Sequence, residues 1–180
     1  MTGDAATDPA IDPAPPGHRL RPATVDDLPV CAAIWREALN DYLGRLAQPD
    51  IPDELGPILR LYRHLQATDP DTFVVAERDG TIEAFVVVLR RERLTFLSML
   101  FVRPSAQAHG LGRALLARTM GDPRAERDGW WATATDSAQP ISNGLYASLG
   151  IVPRMPLFNL VGRPSAGGSW PGLPDGISAR

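Results

Sequence analysis

A nearly continuous apolar run, Leu94–Val102, leads through Arg103-Pro104-Ser105-Ala106 into Gln107-Ala108-His109-Gly110-Leu111-Gly112. Helical periodicity then follows through Leu111, Ala114, Leu115 and Arg118. The run is apolar on both alternating faces, as a strand covered on both sides of a sheet must be. The order is therefore buried strand, loop, glycine-bearing turn, helix. A helix start carries unpaired backbone N–H groups and the positive end of the dipole, and glycines let a phosphate approach that backbone closely. Arg113 adds charge beside it. A Gly-x-Gly pair alone marks many tight turns; its place between a strand and a helix gives it weight as an anion cradle.

The rest of the chain is compatible with one mixed α/β sheet. Leu20–Ala23 reads as a first strand. Thr24 and Asp27 form a variant capping box before a helix whose stripe is Leu28, Ala32, Trp35, Leu39 and Tyr42, ending near Gly44. Pro52-Asp53-Glu54 opens a second helix with Leu55, Ile58, Leu59, Tyr62 and Leu65 inward, and Asp69-Pro70-Asp71 stops it. Thr72–Glu77 and Ile82–Leu89 flank Arg78-Asp79-Gly80-Thr81, a hairpin signal. After the Gly110–Met120 helix come a strand at Trp130–Thr135, a helix from Pro140 to about Leu149 capped by Gly150, and a final strand at Met155–Val161. The order β-α-α-β-β-β-α-β-α-β argues for a mixed sheet flanked by helices.

Size and composition narrow the class. The 180 residues, 44% hydrophobic and 22% charged, suit one globular domain. Residues 1–17 read as a disordered leader, residues 18–161 as the domain, and residues 162–180 as a Pro/Gly-rich tail. A net charge of −3 gives no basic footprint for nucleic acid. All 18 basic residues are arginine, a bias expected of a GC-rich bacterial genome, so no lysine amine can serve as acyl acceptor or Schiff-base former. The single cysteine, Cys31, excludes an internal disulfide and reads as a buried thiol. With no secretory signal, and no apolar stretch near the ~20 residues of a membrane helix, the expected compartment is the cytoplasm. No Cys/His cluster has metal-ligand spacing, so no metal is expected.

The stretch Leu100-Phe101-Val102-x-Pro104, then Gln107-x-x-Gly110-x-Gly112-Arg113-Ala114-Leu115-Leu116, resembles the GNAT superfamily of acyl-CoA-dependent N-acyltransferases. Leu145-Tyr146-x-x-x-Gly150-Ile151 is similar to the family's second landmark, a tyrosine near the end of the last helix. The resemblance spans roughly Leu20 to Val161. It implies a central, mostly antiparallel sheet in which the Leu94–Val102 strand carries a bulge and splays from Trp130–Thr135. Backbone groups of Leu100, Phe101 and Val102 would hold the pantetheine arm of acetyl-CoA or another acyl-CoA, and polarise its thioester. Gln107, Ala108, His109, Gly110, Leu111, Gly112 and Arg113 would hold the pyrophosphate, with Asn143 also at the cofactor. Tyr146 would protonate the departing thiolate. The acceptor would be a small-molecule amine, an amino acid or a peptide N-terminus, attacking directly without an enzyme nucleophile.

Three positions depart from the family pattern. The central strand reads Ser98-Met99 where many members carry a carboxylate base. Gln139 stands where the family has asparagine, although Asn143 lies one turn before Tyr146. Only one strand follows the last helix. His109 reads as a loop histidine beside the phosphates, and His64, Glu37, Asp41 and Glu83 as solvated groups rather than bases. A non-catalytic acyl-CoA-binding or interaction module is the alternative to an active transferase. The breaker-rich tail, with Trp170 as an anchor, would lie across the domain, or a second copy would cover the last sheet edge in a homodimer.

Overall fold

The computed structural model describes residues 14–121, 129–158 and 162. Strands β1 (Arg19–Pro22), β2 (Phe73–Arg78), β3 (Thr81–Arg91), β4 (Leu94–Val102) and β5 (Trp130–Thr133) form one sheet in the order of the chain. Helices α1 (Leu28–Arg45) and α2 (Gly56–Thr68) separate β1 from β2, α3 (Leu111–Met120) links β4 to β5, and α4 (Pro140–Ser148) follows β5. β1 to β4 pair antiparallel, and β5 joins β4 in parallel.

The β2–β3 hairpin turns on Asp79 (φ 50) and Gly80 (φ 75), both left-handed, as a two-residue turn matched to strand twist requires. Side chains alternate across the sheet, so β2 and β3 feed two cores. Phe73, Val75, Phe85 and Val87 pack with Cys31, Ile34 and Tyr62 of α1 and α2. Val74, Ala76, Val86 and Val88 pack with Leu111, Leu115 and Met120 of α3, and with Tyr146 of α4. Burial on both faces is why these strands read as unbroken apolar runs. Each fully buried Phe or Leu contributes about 2–3 kcal/mol of transfer free energy.

α1 begins where Asp27 closes the preceding turn. Its carboxylate accepts from the Thr24 N–H at 2.7 Å and the Thr24 hydroxyl at 2.9 Å, and Arg21 grips both oxygens. The helix continues through Gly44 to Arg45, and α2 starts at Gly56 rather than at Pro52. Cys31 is a buried free thiol whose pKa burial pushes up to about 12. At the other end, Gly150 (φ 83) lets the Ile151 N–H return to the Tyr146 carbonyl at 3.0 Å, closing α4.

The strand expected at Met155–Val161 is not formed over Met155–Phe158. Those residues are coil, and Met155, Leu157 and Phe158 are exposed. Pro153 and Pro156 lack the N–H groups a ladder needs. Residues 159–161, most of the expected leader and the tail beyond Gly162, Trp170 included, lie outside the described residues.

Candidate active site

β3 and β4 pair without interruption from Arg91↔Leu94 to Val88↔Leu97, and again from Val87↔Met99 to Ala84↔Val102. Ser98 is therefore the extra residue of a β-bulge on β4. On the opposite edge, β5 pairs only from Leu94↔Trp130 to Leu97↔Thr133. Beyond that point no strand among the described residues lies on this edge of β4, and Ser98–Val102 are half-buried instead of sealed. Bulge and parting of strands fall at the same residue pair, where the Thr133 hydroxyl donates to the Leu97 carbonyl at 3.0 Å.

The gap is the mouth of a cavity of about 530 Å³. β4 forms one wall, the residues after β5 another, and α3, α4 and the C-terminal half of α1 complete it. The residues expected at a cofactor all line it except His109 and Asn143. His109 is exposed. The Asn143 amide donates to the carbonyls of Asp136 (2.9 Å) and Gln139 (2.7 Å), building the turn that launches α4.

The loop before α3 is conformationally strained. Ala108 (φ 66) and Gly110 (φ 83) are both left-handed, a conformation that costs a non-glycine residue about 1 kcal/mol or more. No side chain among the described residues caps α3, so its first-turn N–H donors are left for another partner, with Leu111, Gly112 and Arg113 on the cavity wall. A Cβ at Gly112 would lie 3.3 Å from Leu145 Cδ2 and 3.8 Å from Leu100 Cδ2, so glycine also permits the close approach of α3 to α4 and β4. Gln107 donates its side-chain amide to the Val102 carbonyl at 3.2 Å, tying the loop to the end of β4. The Arg113 guanidinium rests on the Ser148 hydroxyl at 3.1 Å.

Tyr146 projects from α4 into the cavity lining and is 8% exposed. Burial pushes its phenol up to about 12. Such a phenol stays protonated at ordinary pH and can give a proton to an anion formed beside it.

Other candidates fall elsewhere. His64 is exposed and outside the cavity lining. Glu37 is paired with Arg103, and Glu83 with His18 and Arg78. Asp41 does line the cavity, ion-paired with Arg45. Among the lining residues that the sequence did not place at the site are Tyr42, read only as part of a helical stripe, and Asp136, just beyond β5. Acidic residues past the C-terminal end of a sheet strand occupy a common location for ligand sites, and that was the available signal for Asp136. No helix among the described residues is long and apolar enough to cross a membrane.

Residues 69–151 match the acetyltransferase (GNAT) domain family. Among solved structures, the fold is similar to the PaiA N-acetyltransferase of Thermoplasma acidophilum, crystallised with coenzyme A (TM-score 0.58, 14% identity, 73% of this chain and 87% of that one). It is similar also to diaminobutyrate acetyltransferase EctA of Paenibacillus lautus, in complex with its substrate and coenzyme A (0.56, 19%, 73% and 73%). A GCN5-related N-acetyltransferase from Sphaerobacter thermophilus matches at 0.58 and 16%; 81% of this chain aligns, spanning 44% of that longer one. A search of curated protein sequences finds no match. The segment 69–151 therefore resembles a GNAT acetyltransferase domain, and the fold agrees with that resemblance.

Proposed function

We propose that the protein transfers an acetyl or other acyl group from acyl-CoA to a primary amine. The observation that carries this reading is the coincidence, at one cavity, of the parted β4–β5 edge and the uncapped start of α3. In this reading the pyrophosphate lies on the N–H groups of Gly110–Arg113, beside the Arg113 charge. The pantetheine arm lies along the free edge of Ser98–Val102, hydrogen-bonding as an added strand would. An amide N–H at the bulge polarises the thioester carbonyl, and Tyr146 delivers a proton to the sulfur as the C–S bond breaks. Two neighbours crystallised with coenzyme A, and one with an amine substrate, support the same chemistry.

One observation favours a non-catalytic module: the bulge residue is Ser98, which cannot act as a carboxylate base. Thiol release decides between the two readings, since a binding module yields none with any amine. Cofactor binding is tested by thermal denaturation with and without acetyl-CoA, because a ligand selective for the folded state raises Tm. Gly110→Asp should abolish the rise, introducing a Cβ at φ 83 and a negative charge beside the phosphates. A wild-type protein with no shift at millimolar acetyl-CoA would refute the proposal.

A further inference from the structure

Among the described residues, the cavity lining holds two carboxylates, Asp41 and Asp136. Asp41 is neutralised by Arg45, one turn further along α1. Asp136 forms no ion pair among the described residues. Its Oδ1 accepts the Ala138 N–H at 2.9 Å, which fixes the carboxylate after β5. Its backbone carbonyl accepts from Asn143, so the turn carrying it is held from both sides.

Tyr42, on α1, lines the same cavity. It is 9% exposed, and its hydroxyl is buried with no hydrogen bond of good geometry among the described residues. Leaving a buried hydroxyl unmatched costs about 1–3 kcal/mol. Burial raises the phenol's pKa, and the Asp136 carboxylate raises it further, as a side-chain acceptor facing the hydroxyl and through its charge. Side by side in one cavity, among the described residues, thus lie an anion without a cationic partner and a phenol oxygen whose lone pairs receive no donor. Their complement is a cation with several N–H donors. A primary ammonium has three donors and no acceptor, and can address both groups at once. The remaining lining cations, Arg45 and Arg113, already have partners, while Ala38, Leu39 and Ile141 offer apolar surface for a carbon skeleton.

We propose that Asp136 and Tyr42 seat the ammonium group of an aliphatic primary amine acceptor, with Asp136 taking its first proton. The proposal rests on the acyltransferase reading above and supplies the carboxylate that Ser98 and Met99 do not. The proton count closes. The ammonium loses one proton to Asp136, which releases it to solvent, and the neutral nitrogen attacks the thioester carbon. The C–N bond forms, the C–S bond breaks, and the second nitrogen proton balances the one that Tyr146 gives to the thiolate.

Asp136→Asn retains the oxygen that accepts the Ala138 N–H and removes only the charge. Butylamine, putrescine and glycinamide serve as acceptors, with thiol release as readout and acetyl-CoA binding measured separately by thermal shift. The wild type should acetylate at least one of the three. Asp136→Asn should lower kcat/KM for that amine by about 10- to 100-fold, the effect of losing a hydrogen bond to a charged group, with acetyl-CoA binding unchanged. Tyr42→Phe should raise the amine KM by about 3- to 10-fold with kcat nearly constant. An Asp136→Asn variant as efficient as the wild type overturns the proposal. Wild-type protein that binds acetyl-CoA but is neither a catalyst for nor stabilised by any of the amines overturns it too, leaving the cofactor reading intact. Absence of acetyl-CoA binding removes both.

Discussion

The Thr133 hydroxyl donates to the Leu97 carbonyl at 3.0 Å, at the last paired position before β4 and β5 separate. A side-chain bond thus closes the ladder where the backbone bonds stop. Thr133→Val keeps the shape and β-propensity of the site but removes the donor. The variant should lose about 1 kcal/mol of stability in chemical denaturation and bind acetyl-CoA more weakly. Unchanged stability and affinity would mean that the bulge alone sets the parting.

Tyr146→Phe should lower kcat by roughly 10- to 1000-fold under conditions where chemistry limits the rate, with acetyl-CoA affinity nearly unaltered. Burial holds the phenol at about 12. The proton is therefore retained through neutral and mildly basic pH, and Tyr146 itself should introduce no basic limb into the rate profile below about pH 11. Full activity of the variant would return Tyr146 to a packing role.

Stability should fall on acidification before the cores are affected. Hydrogen bonds from Arg21, then Thr24, hold the Asp27 carboxyl at about 2 against the opposing effect of burial. Arg91 and Thr68 hold Asp69 at about 2 in the same way. Both folded pKa values lie below the ordinary 3.8. The unfolded chain consequently binds more protons between about pH 4 and pH 2, and stability drops as pH falls through that window. For Asp27 the loss is on the order of 1 kcal/mol after allowance for solvent screening. Denaturation curves at stepped pH should show a shallower acid dependence in Asp27→Asn than in the wild type.

Tyr62 is fully buried, packed edge-on to Phe73 and Phe85 with ring centroids 5.8 and 5.5 Å away, and its hydroxyl has no partner among the described residues. Tyr62→Phe preserves the ring contacts and deletes the unmatched group. Thermal denaturation should show stability unchanged or raised by up to about 1 kcal/mol. A clear loss would reveal a partner for the hydroxyl.

Local chemistry made most of the framework legible before any coordinates. The Asp79-Gly80 turn, the apolar runs of β2 and β3, and the Gly110 turn each need particular residue types in particular places. The element order followed from them. The sequence also overstated the last strand over Met155–Phe158, because Met155 and Leu157 suggest a pleat that Pro156 interrupts. Tyr42 and Asp136 escaped for a different reason. They are distant in the chain, and each obeys an unremarkable local pattern: an aromatic in a helical stripe, and an acid in a turn. Only the packing of α1 against β3 and β4, with β5 parallel to β4, brings them to one cavity.

Strand order that follows chain order has a kinetic consequence. β2, β3 and β4 are consecutive antiparallel neighbours joined by short turns, so their pairings close small loops and can form early. The β4–β5 pairing is parallel and must wait for the whole of α3 to be placed between its partners. The cavity is thus completed by the late step of folding, on a meander that already exists. Its geometry can vary through β5 and α4 while the meander that supports it stays formed.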